Sequence, residues 1–177
     1  MNERLLDEDF IKPTGDYLRT MTASPEVKLG DPKGTTLGIL EVYQQAKEKE
    51  VELLALPELC LTGYSTADLF FNRQVLNKTV ASLTKLKEAT TDGPAMIIGA
   101  PIEDRGILYN CAVMLAEGEI KGVVPKSYLP NYNEFYEKRW FTSGKDITNQ
   151  TLLLDDQEVP FGTDLIFNVN GTNVGVE

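Results

Sequence analysis

The 177-residue sequence contains no histidine. That excludes, within these residues, Ser-His-Asp and Cys-His catalysis and any zinc site with histidine ligands. Cysteine is scarce as well. Cys60 and Cys111 cannot make a four-thiolate metal site, and they read as two free, buried thiols in a reducing cytoplasm. Gly93, Gly99 and Gly106 do not fall into a dinucleotide-binding or phosphate-loop spacing. No apolar run is long enough to span a bilayer, and the acidic N-terminus has no secretory h-region. Basic residues are few. Seventeen Lys and Arg against 27 Asp and Glu leave a net charge of −10, the wrong sign for nucleic acid or an anionic membrane surface. Acid–base chemistry is left to Glu, Asp, Lys, Tyr and Cys.

What is present describes a globular α/β chain. With 42% hydrophobic and 25% charged residues it can bury a core of single-domain size. Residues 1–16 read as a polar lead-in and 17–23 as a first strand. Asp31-Pro32 marks a helix start, with Asp31 as N-cap and a stripe of Leu37, Leu40, Tyr43 and Ala46. Residues 51–56 form a continuous apolar run, as expected of a strand covered on both faces. A second helix over 72–89 carries Leu76, Val80, Leu83 and Leu86, and Asp92-Gly93-Pro94 ends it. A buried strand follows at 95–100, then a hairpin of 108–116 and 119–124 turning at Glu117-Gly118. Residues 127–145 form a long functional loop with one helical turn. Short strands at 152–154, 165–169 and 174–177 close the pattern. Strand–helix–strand–helix–strand followed by hairpins gives an α/β sheet covered by helices.

Two ionisable groups sit at the ends of apolar runs. Glu58 follows Pro57, where open α/β sheets place ligands, and suits a general base. Lys126 follows Pro125 and suits a fixed cation that stabilises an oxyanion. Taken alone, each also reads as an ordinary solvated charge at a strand end. Tyr128, Tyr132, Phe135, Tyr136 and Trp140 then form either a pocket wall or a satellite core under the loop. Cys60, flanked by Leu59 and Leu61, reads as packing rather than as a nucleophile. Cys111 reads as a strand residue, and Asp155-Asp156 as a turn rather than a metal pair.

Pro57-Glu58-Leu59, Thr62-Gly63-Tyr64 and Val124-Pro125-Lys126 together resemble the carbon–nitrogen hydrolase (nitrilase) superfamily. Within it, the block from Pro125 through Tyr132, Phe135 and Glu137 is similar to the glutaminase domains of bacterial glutamine-dependent NAD synthetases. Ile98-Gly99-Ala100-Pro101, Leu108-Tyr109-Asn110-Cys111-Ala112 and Phe161-Gly162-Thr163-Asp164-Leu165 share that similarity. The resemblance covers residues 17–177. It implies a partial αββα sandwich, an N-terminal part of such a domain, with the synthetase domain absent. It implies L-glutamine as substrate and a Glu-Lys-Cys triad, with Glu58 as general base and Lys126 as oxyanion stabiliser. Tyr132 and Phe135 fall on residues lining the glutamine pocket, with Tyr64 and Glu137 nearby. Val176-Glu177 matches the start of the nucleophile stretch, so the catalytic cysteine is expected beyond Glu177 and this chain alone is expected to be inactive. Ammonia would pass to the synthetase domain for NAD synthesis. The amidase would need no metal or cofactor, and ATP and magnesium would belong to the absent domain. A half sandwich would expose an apolar face and favour a homo-oligomer. Two alternatives stay open: another amidase of the superfamily, of ω-amidase or carbamoylase type, and a non-catalytic fragment.

Overall fold

The structure, a computed structural model, describes residues 17–177; the polar lead-in over 1–16 lies outside the described residues. A short strand, β1 (Thr20–Thr22), leads into helix α1 (Pro32–Glu48) and strand β2 (Leu53–Ala55). A 3-10 segment (Tyr64–Phe71) connects to helix α2 (Arg73–Ala89). Three strands follow without interruption: β3 (Ala95–Asp104), β4 (Ile107–Ala116) and β5 (Glu119–Pro125). After a long loop and the one-turn helix α3 (Glu137–Trp140) come two hairpins. These are β6 (Gln150–Leu154) with β7 (Gln157–Phe161), and β8 (Ile166–Val169) with β9 (Thr172–Gly175).

Seven strands form one sheet in the order β1-β2-β3-β4-β5-β7-β6, while β8 and β9 pair separately. β1, β2 and β3 are parallel, β3-β4-β5 antiparallel, and β5 meets β7 parallel. Strand alternation sorts side chains between the two faces. Met96, Ile98, Val113, Leu115 and Val123 pack with Ile39, Tyr43, Leu83 and Leu86 of the helices. Met114 and Val124 point the other way and meet Phe167 and Val169 of β8. Gly122 lets β8 approach this closely, since a Cβ there would lie 2.8 Å from the Phe167 ring.

The predicted α/β class holds, with both helices on one face. Four details differ. In α1 the buried row is Pro32, Thr35, Thr36, Ile39, Tyr43 and Ala46, whereas Leu37 is 54% exposed. The row reads as polar in sequence, yet its threonines can be buried because they are satisfied locally: Thr36 Oγ1 donates to the Pro32 carbonyl at 2.8 Å. Asp31 makes no side-chain cap, and Pro32 alone marks that start; Asn72 does cap α2, accepting from the Gln74 amide at 2.9 Å. Finally, β3 runs four residues past its expected end, and β7 was not foreseen because it contains Pro160. β7 pairs with β5 at one position only, Val123–Phe161, so a missing amide donor removes little there.

Candidate functional site

Glu58 is placed by backbone contacts. β2 leaves the sheet after Leu56, whose amide donates to the Ile97 carbonyl at 2.9 Å. The chain then crosses β3 directly over Gly99. A Cβ at Gly99 would collide with the backbone of Pro57, Glu58 and Leu59, so only glycine permits the crossing. Leu59 turns back with φ +49°, and its carbonyl accepts from the Gly63 amide at 2.7 Å. Holding a leucine in the left-handed region costs about 1–2 kcal/mol. Its side chain is buried beside Phe70 and Phe141, which compensates.

Lys126 extends β5 by one residue. Its amide donates to the Asn110 carbonyl at 2.8 Å, and its carbonyl accepts from the Gly144 amide at 2.9 Å. Ser143 Oγ donates to the Ser127 carbonyl at 2.6 Å. The loop leaving Lys126 is therefore pinned shut at its base.

The lysine ammonium lies between two carboxylates. Nζ is 2.6 Å from Glu58 Oε1 and 3.0 Å from Glu137 Oε1. Asn110, in the middle of β4, donates through Nδ2 to Glu58 Oε1 at 2.5 Å and reaches Glu137 Oε2 at 3.5 Å. Tyr64 donates its hydroxyl to Glu137 Oε1 at 2.7 Å. Glu137 is 1% exposed, while the Glu58 side chain is 43% exposed. One carboxylate is thus a fixed counter-ion and the other is open to solvent. Burial works against charge on Lys126, but the hydrogen bonds it donates to Glu58 and Glu137 outweigh it and hold the ammonium's pKa above its ordinary value. Burial, then the bond to Glu137, pushes the Tyr64 phenol well above the ordinary tyrosine range.

A cavity of about 380 Å³ opens beside this group, on the sheet face opposite the helices. Ile97, Ala112 and Val124 make its apolar floor; Glu58, Asn110 and Lys126 are its polar side, and Tyr128 and Glu177 stand at its margins. Of the six predicted site residues, Glu58, Lys126, Glu137 and Tyr64 form one hydrogen-bonded chain. Phe135 packs edge-on against Tyr64 with ring centres 6.4 Å apart, and Tyr132 against Phe135 at 5.8 Å. These three rings lie outside the cavity lining and beside the Glu137 end of the chain. Tyr132 is largely exposed, so this cluster is an outer wall.

Asn110 was missed in the sequence. Its signal is a lone amide inside the otherwise apolar stretch of β4, 3% exposed once folded. Such a group needs partners, and here the partners are the two carboxylates. Both cysteines are buried in the core cluster on the helix side. Burial pushes the Cys60 thiol up to about 12 and the Cys111 thiol well above its ordinary value, so neither supplies a thiolate. Among the described residues no group of three or more His, Cys, Asp or Glu side chains is arranged to hold a metal ion, and no helix is long and apolar enough to cross a membrane.

Comparison with known proteins places this geometry. The carbon–nitrogen hydrolase family model matches residues 18–176. The glutamine-dependent NAD(+) synthetase of Mycobacterium tuberculosis is 35% identical over 152 residues, covering 85% of this chain and 22% of that protein. That of Thermotoga maritima is 32% identical over 130 residues, covering 73% and 23%. The chain therefore spans less than a quarter of the length of these relatives. Among solved structures, a glutamine-dependent NAD(+) synthetase from Cytophaga hutchinsonii superposes with a TM-score of 0.83 at 34% identity, over 89% of this chain and 27% of that one. An amidase from Nesterenkonia superposes with a TM-score of 0.63 at 18% identity, over 80% and 53%, a likeness of fold. A match running from residue 18 to 176, on a sheet of the same architecture, settles the kinship: the chain belongs to the carbon–nitrogen hydrolase family.

Proposed function

We propose that this site hydrolyses the side-chain amide of glutamine and that the ammonia released serves a synthetase domain making NAD. The carrying observation is the solvent-facing Glu58 hydrogen-bonded to an ammonium that a second, buried carboxylate holds in place. Relatives named for glutamine-dependent NAD(+) synthesis support the choice of amide.

In this reading the nucleophile is a cysteine thiol of the kind the family uses, and neither Cys60 nor Cys111 fills that part, both being buried on the helix side. Glu58 takes the thiol proton, and the sulfur attacks the amide carbon. Lys126 stabilises the oxyanion that forms. The C–N bond breaks as Glu58 returns the proton to the leaving nitrogen, giving ammonia and a glutamyl thioester. Water, deprotonated by Glu58, then releases glutamate and restores the thiol. Asn110 orients the Glu58 carboxylate, and Glu137 with Tyr64 fixes the lysine. Tyr132 and Phe135, outside the cavity lining and beside Glu137, are assigned to the substrate's far end. No metal or organic cofactor takes part in this half-reaction; ATP and magnesium serve the synthetase half.

The test is glutamate release from glutamine. The 177-residue chain alone gives none above background. In the product of the whole reading frame that encodes these residues, Glu58→Gln lowers glutamine-dependent turnover by about 10²–10⁴-fold, while turnover supported by added ammonia persists. Glutamate release by the isolated chain, or full glutamine-dependent activity in Glu58→Gln, would overturn the assignment.

A further inference from the structure

Glu137 holds Lys126, yet α3, which carries Glu137, is a single turn of four residues. Its backbone supports are few and local: the Phe141 amide donates to the Glu137 carbonyl at 2.8 Å, the Arg139 amide to the Tyr136 carbonyl at 2.9 Å and the Glu137 amide to the Pro130 carbonyl at 3.2 Å. Helices this short do not persist unaided, so something outside must set the place of Glu137.

The support comes from the 3-10 segment that also carries Tyr64. Arg139, two residues after Glu137, meets Asp68 in a fork: Nε donates to Oδ1 at 2.7 Å and Nη2 to Oδ2 at 2.8 Å. Trp140 Nε1 donates to the same Oδ1 at 2.9 Å. Beneath them the Phe70 ring lies 5.8 Å from that of Trp140 and 4.9 Å from that of Phe141. Hydrogen bonds from Arg139 and then Trp140 hold the Asp68 carboxyl well below the usual carboxylate range. Most exposed ion pairs contribute little, but a bidentate fork with a third donor is the geometry that does. Ala67, just before Asp68, sits at φ +52° and ψ −136°, a conformation that survives only where neighbours over-determine it.

We propose that Asp68 and Arg139 form a clip that positions Glu137, and through it Lys126, making both of them positioning residues for amide hydrolysis. The catalytic part of this inference rests on the role given to Lys126 above; the clip itself does not. Asp68 and Arg139 are about 60% exposed, so replacing them leaves the core intact.

The experiment uses the 177-residue chain and an amine-acylating probe, N-hydroxysuccinimidyl acetate, with modification of each lysine read by mass spectrometry. Asp68→Asn is expected to raise acylation of Lys126 roughly three- to tenfold as Glu137 lets go. Lys47 and Lys87, whose partners lie elsewhere, serve as internal references and keep their rates. Arg139→Gln is expected to do the same, and stands in if Asp68→Asn does not fold. An unchanged Lys126 rate, or an equal rise at all three lysines, overturns the clip. In the glutamine-hydrolysing full-length protein, Asp68→Asn is expected to lower kcat more than it raises KM. If Glu58→Gln leaves that turnover intact while the acylation result stands, the catalytic reading has failed and the clip has not.

Discussion

Lys126 depends on Glu137 more than on Glu58, because only Glu137 is withdrawn from water. Glu137→Gln keeps the shape and removes the charge. It is expected to destabilise the fold by about 1–3 kcal/mol, since it leaves a half-buried ammonium with one carboxylate fewer. Urea unfolding measures this. The sign with pH follows from the raised lysine value: its contribution is complete below the ordinary 10.5 and is lost as pH climbs through the folded value. In Glu137→Gln that alkaline loss shrinks. Gly99→Ala forces backbone from backbone under Glu58, a displacement no rotamer can relieve, and should cost about 1–3 kcal/mol. For a chain of this size the melting temperature should fall by about 2–4 °C per kcal/mol. At this scale the sequence was partly readable. Glu58 and Lys126 stood out because each follows a proline that ends an apolar run. The Asn110–Glu58 contact did not, because it spans 52 residues and depends on the register of β4 within the sheet.

Among elements, the hairpin turns show where local chemistry governs. Arg105-Gly106, Glu117-Gly118 and Asn170-Gly171 all place two residues at positive φ, as two-residue turns of the favoured hand require, and each offers glycine in second place. The β6–β7 turn meets the same demand with Asp155 and Asp156, at φ +53° and +57°. The two aspartates should therefore respond oppositely to glycine. Asp156→Gly relieves backbone strain and is expected to stabilise by roughly 0.5–1 kcal/mol. Asp155→Gly loses the ion pair with Lys87, 2.7 Å long and mostly buried, and is expected to destabilise. Thermal melts of the two variants decide it. The bond from Lys87, the largest cause, holds Asp155 below its ordinary 3.8, so the pair's stabilisation is present above that value and is lost as pH falls below it. The Asp155-Asp156 turn and both long helices could be read in advance. β7 and the 3-10 segment could not, since one hides a proline and the other owes its shape to Asp68 and its partners.

For the whole molecule, the decisive asymmetry lies between the two faces of the sheet. α1 and α2 cover one; among the described residues, the other carries only β8–β9 and the cavity. Leu153 on the edge strand β6 is 71% exposed and Ile166 on β8 is 70% exposed. We expect the isolated chain to self-associate as its concentration rises, seen by sedimentation velocity, and Leu153→Lys to weaken that association if the β6 edge takes part. The overall class was legible because period-two and period-3.6 patterns are local. The partition of the site was not, because it arises where β2, β4, β5 and the loop after β5 converge from distant parts of the chain. That loop has one more consequence. Its two ends meet at Lys126 and Gly144, so from the sheet's side it is a cassette plugged into a fixed socket. Exchange of residues 131–136 for another six is expected to leave in place the strands that carry Glu58, Asn110 and Lys126, provided Glu137 and Arg139 keep their grips. Under the amide hydrolysis proposed above, selectivity for the substrate's far end would then be free to drift while the strand-borne groups stayed still.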